Sequence, residues 1–400
     1  MTKQQSVALV GTRGVPAAYG GFETCVEEVG QRLARDGMRV RVYCRAAKDE
    51  PRPATHLGME LVYRPALRRR ALETLSHTLM SILHIVTHRV QAVIVFNAAN
   101  AIWLPLLWLM RIPVAVHVDG LEWRRGKWGP IGQLYYRYAE SLAVRWSNAL
   151  ISDAQAIADY YADEFGRETI QLAYGAPRAE RTDGSRLAEL DLTPGEYHLV
   201  VARFERENHV LEIIEGYCAS RATLPLVVVG SAPYSADYTK AVHAAADERV
   251  RFVGGVWDQA LLDDLYQHSA TYLHGHSVGG TNPSLLRAMG AGSVCLAYDV
   301  VFNREVLGVA GRFFADPAAL GRLIEQVEAS EDAPAWSRLA SERAKAYCWE
   351  DVSAGYATMI DNLIARRHSV PRASVSVRRR RSTWSSERRL RHLVVALVRR

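Results

Sequence analysis

A glycine-rich turn separates an apolar strand-like run from an apolar helix-like run at residues 273–289, LHGHSVGGTNPSLLRAM. A turn of this kind that leads into a helix directs free backbone N–H groups and the positive end of the helix dipole at one point. An anion such as a phosphate is stabilised there. The predicted phosphate site consists of Gly279, Gly280, Thr281, Asn282 and Ser284. Arg287, one turn into the helix, is not explained by this pattern.

Acidic, aromatic and basic side chains cluster in a second stretch, residues 116–128, VHVDGLEWRRGKW. Carboxylates accept hydrogen bonds from sugar hydroxyls, an aromatic ring covers the C–H side of a sugar, and cations neutralise a diphosphate. The stretch therefore predicts a sugar site next to a diphosphate, with a solvated charged loop as the alternative. Its candidate residues are Asp119, Glu122, Trp123, Arg124, Arg125 and Lys127.

Arg203 follows another predicted strand, in the stretch VARFEREN. At the end of a strand its side chain can reach into a ligand cleft and hold a phosphate. The alternative is a surface ion pair with Glu205 or Glu207.

Glycines also follow the first predicted strand, in VGTRGVPAAYGGFE at residues 10–23. Their spacing does not match GxGxxG, and no acidic residue ends the second strand to bind a ribose, so a dinucleotide site is not favoured. We interpret Gly20 and Gly21 as positions where a substrate approaches the backbone, with Glu23 beside them in the cleft. The alternative is a flexible turn.

Short β-branched runs alternate with amphipathic stretches along the chain, which is typical of βαβ units and parallel sheets. This pattern predicts an α/β fold with two Rossmann-like domains that face each other across a cleft. The predicted strands are 7–10, 40–44, 92–96, 114–118, 149–152 and 170–173 in the first series, and 198–202, 226–229, 250–253, 271–273 and 294–297 in the second.

The predicted domains are residues 1–175 and 196–348, with a polar linker at 176–195. A closing helix is expected at 349–365, followed by a basic tail at 366–400 that we expect to be disordered. A ligand should lie against the carboxyl ends of both sheets, where open α/β sheets bind ligands.

Composition fits an ordinary soluble globular protein of 400 residues, 49% hydrophobic and 23% charged. The five cysteines are scattered, which fits reduced thiols in the cytoplasm and argues against a disulfide framework or a zinc cluster. We expect no signal peptide and no membrane span, because the most apolar run is too short to cross a bilayer. No Asp-x-Asp motif ends a strand, so neither a bridging metal nor any other cofactor is expected.

Taken together, these segments resemble family 4 of the GT-B fold glycosyltransferases, and more closely the bacterial rhamnosyltransferase-like branch of capsule and cell-wall polysaccharide assembly. The resemblance covers roughly residues 5–365. It is carried by GTRGVPAAYGGFET, VDGLEWRRGKW, ARFERENHVLEIIEGY, HGHSVGGTNPSLLRAM and YDVVFNREVLG, which follow that branch in order.

The resemblance implies transfer of a sugar, with retention at the anomeric carbon and without a metal, from a dTDP- or UDP-linked donor to a growing glycan or polyprenyl-linked acceptor. Rhamnose or a similar deoxysugar is expected. The N-terminal domain should bind the acceptor and the C-terminal domain the nucleotide-sugar, with the C-terminal helix packed back toward the N-terminal domain. The leaving diphosphate should lie at the helix that starts near Thr281 and Ser284, held by Arg203. A nucleotide-sugar 2-epimerase with the same fold is a lesser alternative.

Three positions depart from the family pattern. Its cleft histidine falls on Asp119, so either Asp119 or the nearby His117 takes the catalytic role. Its phosphate-binding lysine falls on Asn208, and its two glutamates fall on Gly279 and Arg287. Since arginine has no acceptor for ribose hydroxyls, two interpretations stay open. Arg287 binds the diphosphate, or the donor site is impaired and the protein is a carbohydrate-binding or scaffold homologue.

The net charge of +6 comes from the tail, since residues 366–400 contain twelve arginines and one acidic residue, Glu387. With Trp384 and an apolar run at 393–398, this tail is expected to attach the protein to an anionic membrane surface, at the inner face of the plasma membrane. Nucleic acid is a weaker candidate partner, because the body of the chain is mildly acidic.

Overall fold

The computed structural model describes residues 4–17, 20–46, 51–67, 69, 72–118, 120–126, 128–177, 180–230 and 236–365. Among the predicted site residues, Asp119 and Lys127 lie outside the described residues. The basic tail at 366–400 also lies outside them.

The first sheet has eight strands in the order β3-β4-β2-β1-β5-β6-β7-β8, and every neighbouring pair is parallel except β3 and β4. Its central strands are apolar and buried, as expected for a parallel sheet that is covered on both faces. The strands are β1 (Ser6–Val10), β2 (Arg39–Arg45), β3 (Thr55–His56), β4 (Met59–Arg64), β5 (Ala92–Phe96), β6 (Val114–His117), β7 (Ala149–Ser152) and β8 (Ile170–Gln171).

The second sheet has six parallel strands in the order β11-β10-β9-β12-β13-β14. They are β9 (His198–Val201), β10 (Leu226–Val229), β11 (Val250–Gly254), β12 (Thr271–His274), β13 (Cys295–Tyr298) and β14 (Arg312–Phe314). Strand order reverses beside β1 in the first sheet and beside β9 in the second, which places a ligand crevice at the carboxyl ends of those strands.

Thirteen α-helices lie within the described residues and cover the faces of the two sheets. They are α1 (Gly21–Arg35), α2 (Glu73–Thr87), α3 (Leu104–Leu109), α4 (Pro130–Trp146), α5 (Gln155–Phe165), α6 (Val210–Cys218), α7 (Ala236–Ala244), α8 (Gln259–Gln267), α9 (Pro283–Ala291), α10 (Val301–Leu307), α11 (Pro317–Glu328), α12 (Ala333–Ala344) and α13 (Trp349–Ile364). Short 3-10 helices occupy Ala98–Trp103, Glu122–Arg124, Ser185–Leu190, Arg206–Asn208 and Gly308–Ala310.

The last helix, α13, returns from the second sheet to the first domain. Its Tyr356 hydroxyl lies 3.5 Å from Cys25 Sγ on α1, and Glu350 pairs with Arg32 at 3.1 Å. Tyr356 is fully buried, so this contact belongs to the core and not to the surface. The predicted α/β fold, with two Rossmann-like domains and a C-terminal helix that packs toward the N-terminal domain, is confirmed.

Candidate functional site

The two domains touch at a pair of glycines. A Cβ atom placed on Gly120, in the loop after β6, would lie 2.5 Å from Cα of Gly279 in the loop after β12. No side chain fits at that distance, so the predicted sugar loop and the predicted phosphate loop are in direct backbone contact. The sequence predicted both loops, and the fold brings them together.

Thr281 and Gly280, next to this contact, both pack against Asp153 at the end of β7. The Thr281 hydroxyl donates to the backbone carbonyl of Asp153 at 2.5 Å, and Thr281 is only 4% exposed. A Cβ atom on Gly280 would lie 2.0 Å from the Asp153 carboxylate. The Thr281 hydroxyl therefore holds the domains together in this structure. Asp153 was missed by the sequence analysis, although its place directly after a strand could have marked it.

Asn282 is the N-cap residue of helix α9, a position that asparagine commonly occupies. The Asn282 Oδ1 accepts from the backbone N–H of Ser284 at 3.0 Å, and the Ser284 hydroxyl accepts from Tyr272 at 2.9 Å. By contrast, the backbone N–H groups of Gly279 and Gly280 donate to no described residue. These N–H groups, at the N-terminal end of α9, are the available donors for an anion.

A second helix N-terminus reaches the same place. Helix α1 begins at Gly21, and a Cβ atom there would lie 3.3 Å from Pro283 Cγ at the start of α9. Gly20 is the N-cap residue of α1, and the Glu23 carboxylate accepts from the backbone N–H of Arg13 at 3.0 Å. The glycines thus allow close packing of the two helix ends, and Glu23 holds the loop that precedes α1.

Cationic side chains surround His276, which lies between β12 and the glycine turn. Burial lowers the pKa of His276 well below its ordinary value, and the nearby positive charges of Arg203 and Arg125 lower it further. Positive charges that lower the pKa of a neighbouring histidine also attract an anion. The place is therefore electrostatically suited to an anionic ligand. Arg203 follows β9 and lies 3.5 Å from Glu205, the ion pair that was the alternative, and its contact with a phosphate remains a prediction.

His209 was missed by the sequence analysis. It has a left-handed backbone with φ of 47°, its ring stacks on Tyr298 with centroids 3.9 Å apart, and its Nδ1 donates to the carbonyl of Gly275 at 2.8 Å. Asn208, which the resemblance placed in the donor site, is 1% exposed and donates through Nδ2 to the carbonyl of Arg203 at 2.9 Å. Asn208 therefore stabilises the loop that contains Arg203. The next residue, His209, provides an imidazole ring beside it.

Arg125 connects the sugar loop to the second domain. Its guanidinium group is hydrogen-bonded to the Glu122 carboxylate and lies 3.5 Å from Glu207 Oε1. The Glu122 carboxylate also accepts from Trp128 Nε1 at 3.3 Å. All three charged side chains are nearly buried, so this network is part of the cleft wall and not a solvated loop.

Two arginine side chains lie over the ring of Trp123 in the same loop. The guanidinium groups of Arg124 and Arg137 each lie 5.1 Å from the centre of the Trp123 ring. These cation–π contacts hold the ring against α4. A sugar-stacking role for Trp123 remains a prediction.

His117 occupies a different environment from the cleft residues. It is fully buried at the end of β6, and the rings of Phe22, Phe96 and Tyr174 meet it edge-on at centroid distances of 5.1 to 5.9 Å. Burial lowers the pKa of its imidazole to about 3, so the ring is neutral. The assignment of the catalytic role to Asp119 or His117 remains a prediction.

Arg287 is held by helix α8. It donates to Asp263 Oδ1 from Nε at 3.0 Å and from Nη2 at 2.6 Å, and its Nη1 donates to the Gln259 side chain at 2.7 Å. Its guanidinium group is therefore largely engaged within the protein. A diphosphate contact by Arg287 would require it to leave Asp263.

Within the described part of the chain, no three His, Cys, Asp or Glu side chains are grouped in a way that could hold a metal ion. No described helix is both long enough and apolar enough to cross a membrane.

Two family models match the chain, one in each domain. Residues 4–177 match Domain of unknown function (DUF1972), and residues 196–329 match Glycosyl transferases group 1. The second match contains the phosphate loop, Arg203 and His209. No curated protein matches the chain.

Solved structures resemble the chain over most of its length. Sucrose-phosphate synthase from Thermosynechococcus elongatus gives a TM-score of 0.75 at 18% identity, over 91% of this chain and 100% of that one. Anabaena HepE in complex with UDP gives 0.70 at 16% identity, over 90% and 100% of the chains. WaaG, a glycosyltransferase involved in lipopolysaccharide biosynthesis, gives 0.68 at 17% identity, over 88% and 99%. At these identities the likeness shows the fold, which is GT-B.

Proposed function

We propose that this chain, a glycosyltransferase with the GT-B fold, moves a sugar from a nucleotide-sugar to a growing or polyprenyl-linked glycan in cell-surface polysaccharide biosynthesis. The donor proposed is a dTDP- or UDP-linked deoxysugar such as rhamnose. The transfer proceeds with retention at the anomeric carbon and needs no metal ion.

One observation carries the proposal: cations of both domains meet the N-terminus of α9. Arg203 comes from the second domain and Arg125 from the first, and a Cβ atom placed on Gly279 in the glycine turn would lie 4.0 Å from Arg125 Nη2. The N–H groups of Gly279 and Gly280 add donors at the same place. Because charge develops on the leaving diphosphate in the transition state, fixed donors and cations aimed there lower the barrier without a metal.

The relatives support the donor class. Anabaena HepE has been solved with UDP and with UDP-glucose, and WaaG is described as a lipopolysaccharide enzyme. The cations of this chain would neutralise the diphosphate of a UDP- or dTDP-linked donor. Asp119, the residue before Gly120 in the chain, is proposed to face the transferred sugar and stabilise its positive charge.

Arg287 favours a second candidate function, that of a homologue with an impaired donor site that binds carbohydrate without transfer. Its guanidinium group is engaged with Asp263 and therefore does not supply the charge missing at Asn208. We favour the enzyme for two reasons. His209 provides an imidazole ring next to Asn208. Arg287 holds Asp263, whose carboxylate can accept hydrogen bonds from ribose hydroxyls.

Titration calorimetry with UDP, dTDP and GDP tests the proposal. We expect binding in the micromolar range for UDP or dTDP, and a loss of roughly tenfold to a hundredfold in Arg203→Ala. Arg206→Ala is the matched control, since Arg206 follows in the same loop but lies over Tyr238, on α7.

No binding of any diphosphate at millimolar concentration would eliminate the enzyme. A donor screen by product mass then identifies the sugar. Release of a free sugar in place of a glycoside would identify an epimerase.

A further inference from the structure

We propose that Glu305 is a positioning residue that holds the two domains in contact, by capping helix α5 of the first domain from helix α10 of the second. Its carboxylate accepts hydrogen bonds from Gln155 and Gln171, and we call this group of three residues the interdomain cap. None of the three belongs to the sugar loop or to the phosphate loop. The effect of the cap on sugar transfer rests on the proposed function, whereas the contact between the domains does not.

The N-cap residue of helix α5 is a poor cap. The helix begins at Gln155, and its N-cap residue is Ala154. A methyl group cannot accept a hydrogen bond from the free N–H groups of the first turn, whereas the side chains of Ser, Thr, Asp and Asn can. The Ser152 hydroxyl, two residues earlier, lies 2.7 Å from that of Thr169 and is used there. The start of α5 therefore needs an acceptor from elsewhere in the protein.

Glu305 supplies this acceptor from the other domain. Its Oε1 accepts from the backbone N–H of Gln155 at 2.7 Å and from Nε2 of Gln171, the last residue of β8, at 3.1 Å. A carboxylate is especially favourable at this place, because the N-terminus of a helix carries a partial positive charge. Helix α5 is therefore capped by a side chain only when the two domains are in contact.

Helix α10 has one side for each domain. Phe302 and Glu305 are spaced i, i+3 and so share one side of the helix. Phe302 packs against the hydrophobic cluster that lies around the first sheet, next to the carboxylate that caps α5. Asn303, Val306 and Leu307 form the buried side of the same helix. Helix α10 therefore presents both an apolar and a charged side chain to the first domain.

Both ends of helix α10 are held within the second domain. Near its start, Asn303 Nδ2 donates to the carbonyl of Tyr298 at 2.8 Å and to that of His276 at 2.9 Å. At its other end, Arg343 of α12 donates to the backbone carbonyl of Glu305 at 2.8 Å. The helix is thus a fixed part of the second domain, so the Glu305 side chain cannot follow α5 if the domains separate.

Thr281 of the phosphate loop and Glu305 bind the same short segment of the first domain. The Thr281 hydroxyl donates to the carbonyl of Asp153, and Glu305 accepts from Gln155, two residues later. Loss of one contact should therefore loosen the segment to which the other binds. Glu305 accordingly acts on the phosphate loop through this segment, and not by contact with a ligand.

Small-angle X-ray scattering and amide hydrogen exchange of the full chain, both without ligand, test this inference. The test variant is Glu305→Ala. A second variant combines Glu305→Ala with Ala154→Ser, which gives α5 an N-cap of its own and so separates the stability of the helix from the contact between the domains. The control is Glu331→Ala, which removes an exposed carboxylate of the second domain.

We expect Glu305→Ala to raise the radius of gyration by about 5%, because the domains open. The amides of the first turn of α5 should exchange about fivefold to tenfold faster than in the wild type, because they lose their acceptor. The double variant should recover slow exchange in α5 but keep the larger radius. The control should match the wild type in both measurements.

Two further measurements complete the test. Gln171→Ala removes the second donor of the interdomain cap and should raise the radius of gyration in the same direction, so it decides the question if Glu305→Ala does not fold. If the chain binds UDP as proposed, its affinity should fall about fivefold to tenfold in both variants that carry Glu305→Ala.

Three outcomes would overturn the inference. An unchanged radius in Glu305→Ala with faster exchange in α5 would mean that Glu305 caps the helix and does no more. A wild-type radius in the double variant would mean that the opening comes from α5 itself. No change in either measurement would mean that the contact does not stabilise the closed form. Because no ligand is present, these results are independent of whether UDP binds.

Discussion

Arg125 of the first domain lies 3.5 Å from Glu207 of the second, and their side chains are 12% and 7% exposed. The two residues come from loops that follow β6 and β9, at the carboxyl ends of different sheets. Arg125 also neutralises Glu122 in its own loop. The charge balance of the cleft is therefore complete only when the two domains are in contact.

Replacement of Arg125 by alanine should affect both stability and ligand affinity. Two buried carboxylates would lose their cation, which costs about 3 kcal/mol of unfolding free energy. Affinity for UDP or dTDP should fall roughly tenfold to a hundredfold as a diphosphate partner is lost. Denaturant unfolding and calorimetry measure the two effects.

The double variant Arg125→Met with Glu122→Gln separates the effect on stability from the effect on affinity, because it removes one of the two carboxylates that lose their cation. We expect partial recovery of stability without recovery of affinity. Wild-type affinity in Arg125→Ala would contradict a role for this residue at the diphosphate.

Gly120→Ala should impair domain contact without unfolding either domain. The new Cβ would lie 2.5 Å from Gly279 Cα, whereas the Cβ of Gly126→Ala, the matched control, would meet nothing within 4 Å. We expect kcat/KM to fall about a hundredfold in Gly120→Ala, since small misplacements of reacting groups are costly. Thermal stability should stay close to wild type. Equal activity of the two variants would show that closure is not required.

The Arg287–Asp263 pair predicts a charge-swap rescue. Arg287→Glu places two carboxylates together and should lower the unfolding free energy by about 1 to 2 kcal/mol. Asp263→Arg in the same chain should restore most of it, as followed by thermal unfolding. If Arg287→Gln instead leaves unfolding unchanged and weakens UDP binding tenfold, the guanidinium group contacts the ligand and not Asp263.

Glu140 predicts a pH dependence of stability. It is 2% exposed, accepts a hydrogen bond from the Tyr160 hydroxyl at 2.8 Å, and burial raises its pKa from 4.5 to about 7. Because the folded state binds the proton more tightly than the unfolded state, the contribution is full below pH 4.5 and is lost as the pH rises through 7.

Wild type should therefore lose about 3 kcal/mol relative to Glu140→Gln between pH 4.5 and 8. Denaturant unfolding at several pH values measures the difference. Asp163→Asn, at an exposed acidic side chain of α5, is the control and should follow wild type. A constant difference between wild type and Glu140→Gln would mean that Glu140 titrates normally.

The sequence predicted the architecture because a parallel strand that is buried on both faces can be recognised from a short β-branched run alone. All eleven predicted strands are present, with ends displaced by at most two residues. Strands β3 and β4 and the edge strand β14 were missed. β14 is three residues long, and β4 carries charged residues among its apolar ones, so neither forms an apolar run. In the predicted linker, the 3-10 helix Ser185–Leu190 was not foreseen.

The sequence also located the loops of the site, because loops after parallel strands converge at one edge of each sheet. Only the tertiary structure decided which side chains meet. The contact of Arg125 with Glu207, the burial of His117 and the pairing of Arg287 with Asp263 depend on how two sheets and their helices pack. No local spacing encodes those distances, since the partners lie far apart in the chain or on different elements.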